Sequence, residues 1–169
     1  PADVVLTVDI GRLRQYADKQ LFAPFKSDKL RRAIPSHLRS ADDSWFGFSK
    51  RSRVIAVSKS LSVKEQITRF ENLADTNLAG KVCSRPGSHV YNRALLSSMI
   101  EAHGVDKARK WAKGLVSNLA KSPRGNDRAQ IKAIFAGECD VALVNHYYYG
   151  KLINSANPDE QKWAQSVDI

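Results

Sequence analysis

The sequence predicts an α/β fold with a mainly parallel sheet covered by helices on both faces. Two observations carry this prediction. Short apolar runs alternate along the chain with stretches whose apolar residues recur every three or four positions. One of those runs, Asp140-Val141-Ala142-Leu143-Val144-Asn145, has the make-up of a buried strand. A third observation sets a limit: no apolar run approaches the roughly 20 residues that a membrane helix needs.

In chain order, the apolar run at residues 3–9 reads as a strand. The spacing of Leu13, Tyr16, Ala17 and Leu21 then predicts a helix over 10–21. A polar, proline-punctuated stretch covers 22–44. Residues 45–48 and 54–57 read as strands around the basic segment Lys50-Arg51-Ser52-Arg53. A helix is expected over 63–73 and a strand over 81–85. Gly104 separates a helix carrying Leu95, Leu96, Met99 and Ile100 from one carrying Ala108, Trp111, Leu115 and Leu119. Asn126-Asp127 starts a further helix through Ile131, Ile134 and Phe135, closed by Gly137. A helix is expected from about Tyr148, Pro158 suits the first turn of a last short one, and 166–169 begins another strand. The break near 54–60 suggests a lobe boundary. Because the chain opens and closes on strand-like segments, it reads as a fragment of a longer protein.

The 169 residues suffice for one domain, or for one complete lobe and part of another. A hydrophobic content of 43% with 26% charged residues excludes a disordered chain. The formal charge of +10 makes nucleic acid or an anionic surface a candidate partner. Against this, the Lys and Arg residues are spread along the chain, with no like-charge block to mark a binding arm. Cys83 and Cys139 lack zinc-site spacing. Each starts an apolar run, so adjacent strands could join them in a disulfide, or they are two buried thiols.

Ligands of open α/β sheets bind beyond the carboxyl ends of the strands. Three polar loops are candidates here. Pro86-Gly87-Ser88-His89-Val90-Tyr91-Asn92 follows the strand at 81–85, with Ser88 placed to cap the next helix and exposed amides suited to an anion. Pro123-Arg124-Gly125-Asn126-Asp127 opens a helix, and His146-Tyr147-Tyr148-Tyr149-Gly150 follows the strand at 140–145. Consecutive tyrosines at a strand-to-helix junction can send two phenols the same way, and Tyr91 can face them. A phenolate is a hard oxygen donor, and Fe3+ is a hard acid able to displace a proton whose ordinary pKa is about 10. Clustered tyrosines serve packing or a sugar- or protein-binding surface equally well. His37 and His103 are expected to be solvated, whereas His89 and His146 lie beside candidate ligands. No Ser-His-Asp order, HExxH, Walker loop or GxGxxG is present.

Several segments in the right order resemble the ferric-ion-binding proteins of ABC transporters, in the type II periplasmic-binding-protein group. They are Pro1-Ala2-Asp3-Val4-Val5-Leu6-Thr7-Val8-Asp9, Trp45-Phe46-Gly47-Phe48-Ser49 with Arg53-Val54-Ile55, and Gly87-Ser88-His89-Val90-Tyr91-Asn92. Gly125-Asn126-Asp127 with Ala129-Gln130-Ile131 follows, then Cys139-Asp140-Val141-Ala142-Leu143-Val144-Asn145 leading into Tyr147-Tyr148. The double tyrosine after the asparagine is the most specific of these.

The resemblance implies a two-lobed periplasmic receptor, not an enzyme, that closes on Fe3+ and passes it to an inner-membrane ABC permease. It assigns Tyr91, Tyr147 and Tyr148 as iron ligands, and leaves Tyr149 out. Arg53 matches an arginine that contacts a synergistic anion such as carbonate in some members. Ser88, Asn126, Asn145, His89 and His146 are expected as anion contacts or outer partners. His89 and His146 depart from the Asn and the Thr or Ser common in relatives, which puts the local hydrogen bonding in question. Relatives often carry cysteine at both Cys83 and Cys139, which favours the disulfide. The implied organisation is a partial N-lobe over 1–55, including a first hinge strand, and a nearly complete C-lobe over 56–169. A return hinge strand and the rest of the N-lobe would lie beyond the chain. Exposed apolar surface on a half-built lobe predicts self-association. The competing readings are a receptor of the same fold for an anion or another small polar solute, and a basic nucleic-acid-binding module. The first would survive loss of the tyrosines, and the second predicts steeply salt-dependent DNA binding.

Overall fold

The computed structural model describes residues 2–169; Pro1 lies outside the described residues. The chain divides into two compact units, Pro1–Lys50 and Arg51–Ile169.

In the first unit, α1 (Ile10–Asp18) forms where the 3.6-residue spacing predicts it, and α2 (Asp28–Ala33) rises from the proline-punctuated stretch, capped by the Ser27 hydroxyl. The strand expected at 3–9 does not form: Val4, Val5, Leu6 and Val8 are exposed, and no strand pairs with them among the described residues. An apolar run becomes a strand only when its backbone groups find a ladder partner. The strand expected at 45–48 shrinks to a single antiparallel bridge between Phe46 and Arg39. Gly47 explains the close approach there, since a Cβ at that position would stand 2.9 Å from the Leu38 carbonyl oxygen.

The second unit runs β1 (Arg53–Ser58), β2 (Val82–Cys83), α3 (Val90–His103), α4 (Val105–Ser117), α5 (Asp127–Phe135), β3 (Val141–Asn145), α6 (His146–Ile153), α7 (Pro158–Gln165) and β4 (Val167–Asp168). Residues 55 and 56 both belong to β1, and the whole strand lies in this unit. The helix expected over 63–73 is replaced by 3-10 turns at Lys64–Gln66 and Phe70–Ala74. Asn72 explains the break, because its side-chain oxygen takes the amide protons of Thr68 and Arg69, and Arg69 is extended. Gly114 of α4 lets that turn close on the helix; a Cβ there would stand 2.7 Å from the Ala74 Cβ.

The sheet order is β2-β3-β1-β4. β2 pairs parallel with β3, while β1 pairs antiparallel with both β3 and β4. The sheet is therefore mixed, not mainly parallel. Helical crossovers return the chain to the same end of the sheet and give β2, β3 and β4 one direction. β1 follows no such crossover within the unit, and it inserts between β3 and β4 running the other way.

Strand alternation divides the core between the two faces. Ala142 and Val144 of β3 join Ala56, Ile131, Leu152 and Ala164 beneath α5, α6 and α7. Val141 and Leu143 join Val57, Leu73, Leu95 and Met99 beneath α3 and α4. Cys83 and Cys139 are joined in a disulfide that ties β2 to the approach to β3, with Cα atoms 5.9 Å apart.

Candidate functional site

Three chain segments converge at one end of the sheet. β2 leads through residues 84–89 into α3, which carries Tyr91 on its first turn. β3 leads directly into α6, which carries Tyr147 and Tyr148. β1 starts at this end because it runs against β3, with Arg53 opposite Asn145. In a fully parallel sheet Arg53 would have stood at the far end.

The tyrosines come together. The Tyr91 and Tyr147 hydroxyls are 3.2 Å apart, and the Tyr147 and Tyr148 ring centroids are 4.5 Å apart. Arg51 lies over the Tyr91 ring at 4.5 Å and Arg85 at 4.9 Å. Tyr149 instead packs against the core beneath α5, α6 and α7. Along a helix adjacent residues diverge by about 100°, so three consecutive tyrosines cannot share one face.

The three phenols differ in acidity. Burial, then the Tyr147 hydroxyl and its charge, push Tyr91 up to about 12. Burial and Tyr147 raise Tyr148 as well. At Tyr147 burial works against ionisation, but hydrogen bonds from Tyr91 and Asn145, with Tyr148 and Arg51 nearby, bring the net result below the ordinary value. Tyr147 is thus the first of the three to give up its proton. A cation that ligates all of them must displace the rest.

Under the phenols lies a buried polar network. Asp127 is fully buried; one carboxylate oxygen accepts from Arg85 at 2.9 Å, and the other from Arg53 and from the Asn145 backbone N–H, both at 2.8 Å. Arg53 also donates to Asn92 at 2.7 Å and to the Asn145 side chain at 3.3 Å. Asn145 in turn donates to the Tyr147 hydroxyl at 3.2 Å. Burial pushes the Arg53 guanidinium below its ordinary pKa, against the pull of Asp127. The Nε–H groups of Arg53 and Arg85 are buried and have no hydrogen-bond partner among the described residues.

The remaining expected residues serve local structure. His89, not Ser88, caps α3: its Nδ1 accepts from the Tyr91 N–H at 3.2 Å, while Ser88 is exposed in the preceding turn. A cap must sit directly before the first helical residue, and α3 starts one residue later than Ser88 requires. Asn126 caps α5 by accepting from the Ala129 N–H. His146 is exposed, and its Nδ1 accepts from the Ser52 N–H at 3.0 Å. His103 is paired with Glu71 at 2.7 Å and not simply solvated; His37 is exposed. Among the described residues no group of three or more His, Cys, Asp or Glu could hold a metal ion, so the phenols are the hard donors that this wall offers.

Asp127, Arg85, Asn92 and Arg51 were not singled out from the sequence. Beyond its place in the Gly125-Asn126-Asp127 segment, Asp127 carried one local signal, an acidic residue directly after a helix cap, which ordinarily means an exposed charge favouring the helix dipole.

The chain is 43% identical over its full length to iron uptake protein A1 of Synechocystis, covering 47% of that protein. It superposes on apo ferric ion-binding protein A of Pasteurella haemolytica with a TM-score of 0.93 and 40% identity, covering all of this chain and 53% of that one. A Trichodesmium protein (IdiA, FutA) solved with iron and citrate gives a TM-score of 0.86 and 42% identity, covering 94% of this chain and 50% of that one. The chain spans about half the length of the curated relatives it matches. These relatives are solute-binding proteins, and the fold is of the type II periplasmic-binding-protein kind with a mixed sheet. The characteristic pattern of bacterial extracellular solute-binding proteins matches residues 1–164, and the chain belongs to that family.

Proposed function

We propose that this chain carries the tyrosine wall of a periplasmic ferric-iron receptor, in which Tyr91, Tyr147 and Tyr148 ligate Fe3+ as phenolates. The carrying observation is the meeting of these phenols beside a cationic network, with Tyr91 and Tyr147 oxygens 3.2 Å apart. A trivalent hard cation matches a set of hard anionic oxygens, and it is strong enough to take the proton even from a phenol held near 12. Each ligand proton displaced makes affinity fall about tenfold per pH unit on acidification.

The function is binding and delivery, not catalysis. The receptor hands its iron to an inner-membrane ABC permease; the names of its relatives, an iron uptake protein and a major ferric iron-binding protein, support iron as the cargo. Arg51, Arg53 and Arg85 supply positive charge for a synergistic anion such as carbonate, and the buried Nε–H groups of Arg53 and Arg85, which no described residue satisfies, favour that assignment. The same two groups support a second reading, a receptor for an anion alone. Apolar side chains exposed on the first unit, among them Leu6 and Phe48, favour self-association.

The deciding experiment is a visible absorption titration of the chain with a ferric salt in a weak chelator near neutral pH. A tyrosinate-to-iron band that saturates near one equivalent, and is lost in Tyr147→Phe and Tyr148→Phe, is the expected outcome. Absence of a band, with oxyanion binding retained in both variants, would favour the anion receptor.

A further inference from the structure

We propose that Asp127 is a positioning residue of the tyrosine wall: one buried carboxylate fixes the strand ends that carry Tyr91 and Tyr147 against each other. This rests on the ferric reading for its functional consequence, but not for its geometry.

The carboxylate collects donors from three separate segments: Arg53 at the start of β1, Arg85 after β2, and the backbone N–H of Asn145 at the end of β3. Asn145 and Arg85 reach a phenol in one further step, and Arg53 reaches the neighbour of one. Asn145 donates to the Tyr147 hydroxyl. Arg53 holds Asn92, the residue next to Tyr91. Arg85 lies over the Tyr91 ring.

Local duties do not account for Asp127. Asn126 already caps α5, and an acidic residue serving only the helix dipole would gain by staying in water. Burial of three charges costs desolvation that a well-packed apolar trio would avoid, so the network is not explained by stability alone. Two guanidinium groups and one carboxylate leave a net positive charge beneath the phenols, the sign that stabilises phenolates. With Asp127 neutral, the arginines would repel each other, and the hold on the Asn145 amide would weaken.

The test uses the full chain as wild type, Asp127→Asn and Arg85→Gln, each checked for folding by far-UV circular dichroism. Ferric nitrilotriacetate titrations follow the visible band, and amide hydrogen exchange follows residues 141–148. Asp127→Asn is expected to lose about 10–100-fold in ferric affinity, as when an outer partner of a metal ligand is removed. Its band should shift in energy, which a general loss of stability would not cause. Its Asn145 amide should exchange at least about tenfold faster while Val141–Val144 amides stay protected. Arg85→Gln, which keeps Arg53 on Asp127, should shift the band in the same direction with a smaller affinity loss. An unaltered band and affinity in folded Asp127→Asn, or unchanged protection at Asn145, overturns the proposal. If Asp127→Asn does not fold, Arg85→Gln decides, and a wild-type band and affinity there overturns it. If the wild type itself gives no band, the ferric reading fails, and the exchange measurement alone judges the positioning role.

Discussion

Each unit holds one buried aspartate between two arginines, and the two arrangements differ in what surrounds them. In the first unit Asp43 accepts from Arg31 and Arg39, whose side chains remain 45% and 21% exposed. In the second, Asp127 accepts from Arg53 and Arg85, which are only 10% and 11% exposed. Hydrogen bonding to Arg31 holds the Asp43 carboxyl below the usual range against the effect of burial. There the chemistry fastens a loop, as Asp43 also takes up the chain through its backbone links to Phe25 and Ser40. At Asp127 the same chemistry is buried and linked to Tyr147 through Asn145 and to Tyr91 through Arg85. Charges screened by water are weakly coupled, and charges shielded from it act as one unit. The difference in burial thus separates a surface fastening from the frame of a binding site.

The largest expected effect lies at the phenols. Replacing Tyr147 and Tyr148 by Phe together should abolish the visible ferric band and lower affinity by more than about 100-fold, beyond the loss for an outer partner. Thermal stability should change little, because both rings retain their apolar bodies. Asp127→Asn should come next, losing about 3–5 kcal/mol in denaturant unfolding because the arginines lose their buried counter-charge. Removing the disulfide by Cys83→Ala with Cys139→Ala should cost about 4 kcal/mol, since the bond closes a loop spanning a sequence separation of 56. That variant tests whether the link between β2 and β3 steadies the tyrosine wall, and its band energy should stay near the wild-type position.

The smallest effect is expected at Asp43→Asn. It should lower the unfolding midpoint less than Asp127→Asn and leave the ferric band where it is. Its pH signature follows from a depressed carboxyl pKa: stabilisation by Asp43 is complete above the ordinary carboxylate pKa and is lost as pH falls through the lower folded value. Acid titration of wild type against Asp43→Asn should therefore converge only below about pH 4. Convergence at neutral pH would mean that the first clamp contributes nothing, and the comparison would fail.

Much of the second unit was legible in the residues. Asn126 before α5, Gly104 between α3 and α4, and Pro158 at the start of α7 mark helix ends by local chemistry, and the structure honours each. The buried run at β3 and the 3.6-residue spacing of α4 were equally plain. Local signals failed where a distant partner was needed or where a side chain competed with the helix. Residues 3–9 have strand composition but no ladder, and Asn72 diverts the backbone at 63–73 into 3-10 turns. Strand direction was also hidden, because pairing between β1 and β3 joins residues some ninety positions apart.

The sequence by itself determined the α/β class and the helix boundaries marked by Gly104, Asn126 and Pro158, because residue type, spacing and capping act within a few positions. The tertiary structure decided that β1 runs backward and brings Arg53 to the phenols. It also decided that Tyr149 turns into the core, and that Asp127, which reads along the chain as an ordinary helix-starting acid, lies under the site. Burial and long-range hydrogen bonds arise only when remote segments meet, and it is those that turn an aspartate into the hub of a network.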